Sequence, residues 1–312
     1  MAVLVAGSIN VDVIQSVASL PRPGETVLAT GSERLPGGKG ANQAVAAARM
    51  GAAVEMIAAL GDDDGGRWML GQLRDAGVGT GHVRTLPGLP SGTAYIAVDA
   101  GGENQIIVAP GANGALSPQH LPPIEGPNVL VAQLEVPVET IRAFFSAPRP
   151  EGCIRILNAA PAVPEAAVLF GETDILIVNQ HELALYLDLP DPPANADEAL
   201  VARQMISRPD QAVIVTLGAQ GALAVLADSH VHAPGIPVEP LDSIGAGDCF
   251  VGTLAAVLDL SPAAGRSIEK AIAIANASAA LCTQARGAIP AMPTRMQVET
   301  MMETDTQGRG TT

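Results

Sequence analysis

Aromatic side chains are scarce in these 312 residues: one Trp, two Tyr and four Phe, 2% of a chain that is 48% hydrophobic. The apolar mass is therefore aliphatic, and a site built to stack flat rings has few side chains to draw on. Basic residues are also few, 17 Lys and Arg against 32 Asp and Glu, for a net charge of −15. That surplus repels phosphate backbones and anionic membrane surfaces, so neither nucleic acid nor a membrane is an expected partner. A small anionic ligand is still admitted, because a few backbone amides can set a local field against the global one. Cysteine is limited to Cys153, Cys249 and Cys282. An odd number without Cys-x-x-Cys spacing supports neither a disulfide framework nor a zinc site; three reduced, mostly buried thiols in a cytoplasmic protein are expected instead. No uncharged apolar window reaches 18 residues, so no membrane span is expected, and the run Met1-Ala-Val-Leu-Val-Ala6 lacks the charge and length of a signal peptide. It reads as a buried first strand.

What is present is an alternation of short apolar runs and Ala-rich stretches. The runs at 3–6, 54–59, 129–132, 154–157, 175–178 and 213–216 are apolar without a period of two, as strands buried on both faces are. Helical stretches lie between several of them, among them Ala41 to Met50 closed by Gly51 and Gly66 to Asp75 closed by Gly77. Alternating strands and helices predict a parallel sheet covered on both faces, and the length suits one large α/β domain. A different texture interrupts at Asp12 to Leu35 and at Thr93 to Ala109. There Val13, Ile14, Val17, Val27 and Leu28, then Tyr95, Ile96, Val98 and Ile106 to Val108, sit among Pro and Gly turns. These read as hairpin strands of a separate small sheet, either a cover over a site or an extension of the main sheet edge. Residues 188–197 read as a Pro-rich surface loop, and 294–312 as a polar, frayed C-terminal tail.

The most informative segment is Asp242-Ser-Ile-Gly-Ala-Gly-Asp-Cys-Phe250, which leads into an apolar helix. Gly245 and Gly247 let free amides turn toward one point, and the helix dipole adds positive potential there. Asp248 in the same turn would repel a bound anion. It makes sense as a base that takes a proton from an attacking hydroxyl while the amides hold charge on a transferred phosphoryl group, or, alternatively, as a plain helix N-cap. A second glycine cluster, Leu35-Pro-Gly-Gly-Lys-Gly-Ala-Asn-Gln43, also opens a helix. It is neither a Walker loop nor a dinucleotide fingerprint; its bare glycines permit close approach to a ligand, and Lys39 and Asn42 suit polyol hydroxyls. Asn10 and Asp12 fall just past the first strand, and Gln133-Leu-Glu135 past the strand at 129–132, where open α/β sheets bind ligands.

Together with Gly61-Asp-Asp63, Gly111-Ala-Asn113, Asn158-Ala-Ala-Pro161, Asn179-Gln-His-Glu182 and Val215-Thr-Leu-Gly218, these motifs resemble, in order and from about residue 3 to residue 293, the ribokinase-like (PfkB) sugar kinases. The resemblance implies a three-layer, doubly wound, mainly parallel α/β fold over residues 1–293. It also implies a small β-sheet lid inserted at about 12–35 and 93–109, through which two copies would pair. The implied activity is ATP-dependent phosphorylation of a small sugar, with D-ribose 5-hydroxyl as the expected acceptor and another pentose, a hexose or a nucleoside as the alternative.

By the same resemblance Asp248 is the catalytic base, and Gly245, Ala246 and Gly247 form the anion hole. Asn10, Asp12, Gly38, Lys39, Asn42 and Glu135 take sugar-binding positions. Asn179, Thr216, Gly218 and Asn276 take nucleotide positions, with Glu182 organising Mg²⁺ through water. An activating K⁺ would sit near Asp242, Ile244, Cys282, Ala285 and Gly287, mostly on main-chain carbonyls. The sequence departs from the common pattern at Cys249, Val251 and His181, where Thr, Asn and Thr are usual. Cys249 is expected to pack rather than react.

Overall fold

The computed structural model describes residues 2–126, 128–261 and 267–309. In chain order it contains β1 (Ala2–Ala6), β2 (Asn10–Val17), β3 (Ala29–Gly37), α1 (Lys39–Arg49), β4 (Val54–Gly61), α2 (Asp64–Asp75), β5 (Gly79–Leu86), β6 (Gly92–Val98) and β7 (Asn104–Ala109). The second half contributes β8 (Asn128–Gln133), α3 (Val138–Ser146), β9 (Ile154–Asn158), β10 (Ile175–Asn179), α4 (Gln180–Leu187), a four-residue α5 (Ala196–Ala199), β11 (Ala212–Thr216), β12 (Gly221–Val225), β13 (His230–Pro234), α6 (Ala246–Leu260), α7 (Ile268–Cys282) and α8 (Arg295–Arg309). The Pro-rich loop expected at 188–197 runs from the end of α4 into α5.

The unbroken apolar runs become the interior of a nine-stranded sheet in the order β13-β12-β11-β10-β9-β8-β1-β4-β5. Pairing from β5 across to β11 is parallel, and β12 and β13 close one edge by antiparallel pairing. Successive side chains of each strand enter opposite cores. Val3 and Val5 pack with α1, α6 and α7, whereas Leu4 and Ala6 pack with Ile141, Phe144 and Phe145 of α3. Each buried aliphatic side chain contributes about 1.5–3 kcal/mol, so an alternating polar pattern would have been penalised on either face. The result is the three-layer, mainly parallel α/β arrangement that the sequence predicts.

The two interruptions form a separate four-stranded sheet, ordered β3-β2-β6-β7. The hairpins β2/β3 and β6/β7 are antiparallel, as expected, and are joined by parallel pairing of β2 with β6, which local sequence does not announce. The sheet is therefore not an edge extension of the large one. Val27 and Leu28, assigned to strands from their composition, lie before β3; Leu28 is 86% exposed.

The C-terminal segment corrects the sequence reading. Residues 295–309 form α8, and Val298 is fully buried in the core with Met301 and Met302 packed against it. Three apolar residues at 298, 301 and 302 make a helical stripe that the polar composition of the segment conceals. Residues 310–312 of the expected frayed tail lie outside the described residues.

Candidate active site

Two glycine-opened helices meet at the carboxyl ends of β1 and β8, where the strand order reverses. Helix α1 can enter here only because its N-cap, Gly38, and its second residue, Gly40, lack side chains. A Cβ on Gly38, which has φ 93°, would stand 2.6 Å from the Asn10 nitrogen, and one on Gly40 would stand 2.7 Å from the Gly7 carbonyl carbon. The free amides of its first turn are then answered by a carboxylate. Lys39 N–H donates to Glu135 Oε2 at 3.1 Å, Gly40 N–H donates to Ser8 Oγ at 3.3 Å, and Ser8 Oγ donates in turn to Glu135 Oε2.

Facing it, α6 starts at Gly245, whose φ of 79° and contact with Ala288 leave no room for a side chain: a Cβ would stand 2.6 Å from Ala288 Cβ. A Cβ on Gly247, by contrast, would meet nothing within 4 Å, so open space borders the chain at this turn, while Ala246 N–H donates to the Ser243 carbonyl at 3.3 Å. Asp248 is the third residue of the helix, and its side chain does not cap it. Its carboxylate is buried and held across the site, Oδ2 accepting from Asn42 Nδ2 and Oδ1 from Gln43 Nε2, both at 2.9 Å. The plain N-cap alternative is thereby removed.

The charges of this cluster feel one another. Burial, then Glu135 and Asp248, push the Asp12 carboxyl up to about 7. The charge of Asp248 raises Lys39, against the opposing effect of burial, with Glu135 and Glu182 adding to the rise. Glu182 is raised chiefly by burial, with Asp248 adding to it and Lys39 opposing. Three carboxylates, Asp248, Glu135 and Glu182, thus share one ammonium, an arrangement suited to hydroxyl donors and to cations accompanying an anionic ligand. Asn42 Oδ1 is buried and has no hydrogen-bond partner among the described residues, an acceptor that a sugar hydroxyl would satisfy.

Asn10 and Asp12 project from β2, the first strand of the small sheet, so that sheet supplies part of the site. Asn10 is buried, and its Oδ1 accepts from Asn113 Nδ2 at 2.8 Å. Asn113 also clamps Ile9, accepting its N–H at 3.0 Å and donating to its carbonyl at 3.1 Å. Asp63 caps α2 through Gly66 N–H and holds Ser91 by N–H and hydroxyl, all at 2.7 Å. These two side chains pin the segments by which the chain enters and leaves the small sheet.

On the far side, Asn179 and Thr216 are register partners at the ends of β10 and β11, and Gly218 follows with φ 57°. Asn179 and Glu182 form a reciprocal cap on α4, each side chain accepting the other's N–H at 2.8 Å. Asn276, on α7, donates to the Ala233 carbonyl at 2.8 Å. The segments expected to hold K⁺ do come together. Leu241 and Asp242 N–H both donate to the Thr283 carbonyl, at 2.7 and 3.0 Å, while the Asp242 carboxylate accepts from Ile244 N–H at 2.9 Å and Gly287 N–H at 2.8 Å. Oxygen donors there suit a hard monovalent ion, but both Asp242 oxygens already hold the loop, and the Cys282 carbonyl accepts from Ala285 N–H at 3.4 Å. Asp242 therefore organises this loop through its backbone. Among the described residues no group of three or more His, Cys, Asp or Glu is placed to hold a metal ion, which leaves carbonyls and water as the fitting ligands.

Cys249 is fully buried beside Cys282, with Sγ 3.1 Å from Ser278 Oγ, and burial pushes its thiol up. It packs, as expected, and so does Val251. Four polar residues of the site stood in the sequence motifs without an assigned role: Gln43, Asn113, Gln133 and Asn158. All are buried. Their signal was present as amides placed within apolar or glycine-rich segments, positions that demand internal partners.

The chain matches the family described as pfkB family carbohydrate kinase over residues 2–295. It is 36% identical over 304 residues to the ribokinase of Bacillus subtilis (strain 168), an alignment covering 96% of this chain and 99% of that protein. The crystal structure of ribokinase from Thermotoga maritima aligns with a TM-score of 0.85 at 31% identity, covering 97% of this chain and 99% of that one. The Arabidopsis thaliana ribokinase complexed with ribose and ATP aligns with a TM-score of 0.80 at 28% identity, covering 96% and 99%. With nearly its whole length matched, this chain belongs to the pfkB family of carbohydrate kinases.

Proposed function

We propose that this chain transfers the γ-phosphoryl group of ATP to the 5-hydroxyl of D-ribose, giving ribose 5-phosphate and ADP. The observation that carries the reading is Asp248, a buried carboxylate in the first turn of a helix, held by Asn42 and Gln43 beside the open space at Gly247. Asn10, Asp12, Gly38, Lys39, Asn42 and Glu135 bind the sugar hydroxyls, the carboxylates accepting and the amides donating. Asp248 takes the hydroxyl proton as the new O–P bond forms and the bond from γ-phosphorus to the β,γ-bridging oxygen breaks. Backbone amides of Gly245, Ala246 and Gly247, with the Lys39 ammonium, receive the charge on the moving group. Asn179, Thr216, Gly218 and Asn276 hold the nucleotide. Mg²⁺ would be held by Glu182 through water and K⁺ by carbonyls of the 242–244 and 282–287 segments, both offsetting phosphate charge.

The small sheet acts as a lid that excludes water, and it pairs with the lid of a second copy. In register, Tyr95 opposes Ile107 and Ile96 opposes Ile106. Tyr95 and Ile107, which share one face of the sheet, are 52% and 71% exposed, a patch that a second copy would cover. Action in the cytoplasm is the expected setting, and among the described residues no helix is long and apolar enough to cross a membrane.

A coupled assay with ATP, Mg²⁺, and a panel of sugars, with and without K⁺, tests the assignment. D-ribose is expected to be the best acceptor. Faster turnover of adenosine than of ribose would overturn the sugar reading.

A further inference from the structure

Gln43 is fully buried in α1 between alanines and Val45, where an amide must satisfy both ends internally. Its Oε1 accepts from Gln133 Nε2 at 2.6 Å. Its Nε2 donates to Asp248 Oδ1 at 2.9 Å and to Asn158 Oδ1 at 3.2 Å. These partners permit one orientation only. Turning the amide over would set its oxygen against two acceptors and its nitrogen against the Gln133 donor. The other oxygen of Asp248 is held by Asn42, but Asn42 retains an unpartnered buried acceptor and stands among the sugar contacts. Gln43 is thus the tether whose polar atoms are already committed to protein partners.

We propose that Gln43, oriented by Gln133, is the positioning residue for Asp248, fixing the carboxylate so that it faces the attacking hydroxyl. The proposal rests on Asp248 being the base. Gln43 touches no substrate in this role, so it governs turnover and leaves sugar affinity alone.

Two substitutions test it. Gln43→Met keeps the length of the side chain and removes the donor; kcat should fall about tenfold or more, with the KM for ribose and for ATP within about twofold of the parent. Gln43→Glu keeps the shape and the acceptor for Gln133 but faces Asp248 with a second carboxylate. Two carboxylates at hydrogen-bond distance share one proton near neutrality, and Asp248 cannot serve as base until that proton leaves. The rise of kcat with pH should therefore move to higher pH by more than one unit in this variant. A side chain that only packs would lower the level of the profile without displacing it. Where Gln43→Met gives less folded protein, judged by its melting curve, the pH profile of Gln43→Glu decides.

Asp248→Asn, alone and combined with Gln43→Met, separates this proposal from the one beneath it. Loss of turnover in Asp248→Asn with no further loss in the double variant supports both. Near-normal turnover in Asp248→Asn overturns the base assignment, whatever Gln43 does. An inactive Asp248→Asn together with an unchanged kcat in Gln43→Met, a raised ribose KM with kcat intact, or an undisplaced profile in Gln43→Glu overturns the positioning role alone.

Discussion

The nine-stranded sheet and the four-stranded sheet are built from similar residues and end in opposite environments. Val129, Leu130 and Val131 of β8 are fully buried between two helical layers. Ile106, Ile107 and Val108 of β7, equally aliphatic, lie in a strand whose every residue is exposed. Strand propensity is the same in both; what differs is cover. In the large sheet apolar side chains hold the fold together, whereas in β7 of the small sheet they stay exposed. The site straddles the two, taking Asp248, Lys39 and Glu135 from the body and Asn10 and Asp12 from the small sheet.

The roles proposed for Asp248 on the body, proton removal, and for Asp12 on the small sheet, sugar binding, differ, and the contrast can be broken. Asp248→Asn should lower kcat about 10³-fold while ribose KM changes little, measured by steady-state kinetics. Asp12→Asn should do the reverse, raising ribose KM about tenfold with kcat largely kept; an equal loss of kcat would erase the distinction. For stability, Leu130→Ala should cost about 2–5 kcal/mol by denaturant unfolding because it leaves a cavity in a covered sheet. Ile107→Ser should cost under about 0.5 kcal/mol, since the exposed side chain has little packing to lose. The same Ile107 variant should shift the solution mass from dimer toward monomer by light scattering, and a wild-type monomer would sink the lid-pairing proposal.

A pH dependence is also expected. Burial, with Glu135 and Asp248, pushes the Asp12 carboxyl up to about 7, well above the usual carboxylate range. The folded, ligand-free protein therefore holds a proton that the unfolded chain releases, so this group's contribution is complete below about pH 4 and is lost as pH rises to about 7. Melting curves from pH 5 to 8 should show Asp12→Asn gaining on the parent by about 1–2 kcal/mol across that range. A constant difference would mean that burial, with Glu135 and Asp248, does not raise Asp12 as its placement implies.

Much of this was legible in the chain. Unalternating runs such as 129–132 and 213–216 can only be strands covered on both faces, and glycines at 38, 40, 245 and 247 announce helix starts that a ligand approaches closely. Less legible was α8, because Val298, Met301 and Met302 are three apolar positions in a polar segment, and their burial depends on the surface they meet. Nor could the roles of Gln43 and Asn113 be read. Each works through partners distant in sequence, 205 residues away for Gln43 with Asp248 and 104 for Asn113 with Ile9.

By itself the sequence determined the layer architecture, the presence of the extra hairpin strands and the two glycine motifs, because these follow from local periodicity and backbone freedom. Only the tertiary structure decided that Asp248 is tethered rather than capping, that β2 and β6 pair in parallel to join the small sheet, and that one region's valines are buried while another's isoleucines face water. Those outcomes depend on which surfaces far apart in the chain come to touch, and residue type and spacing carry no record of that.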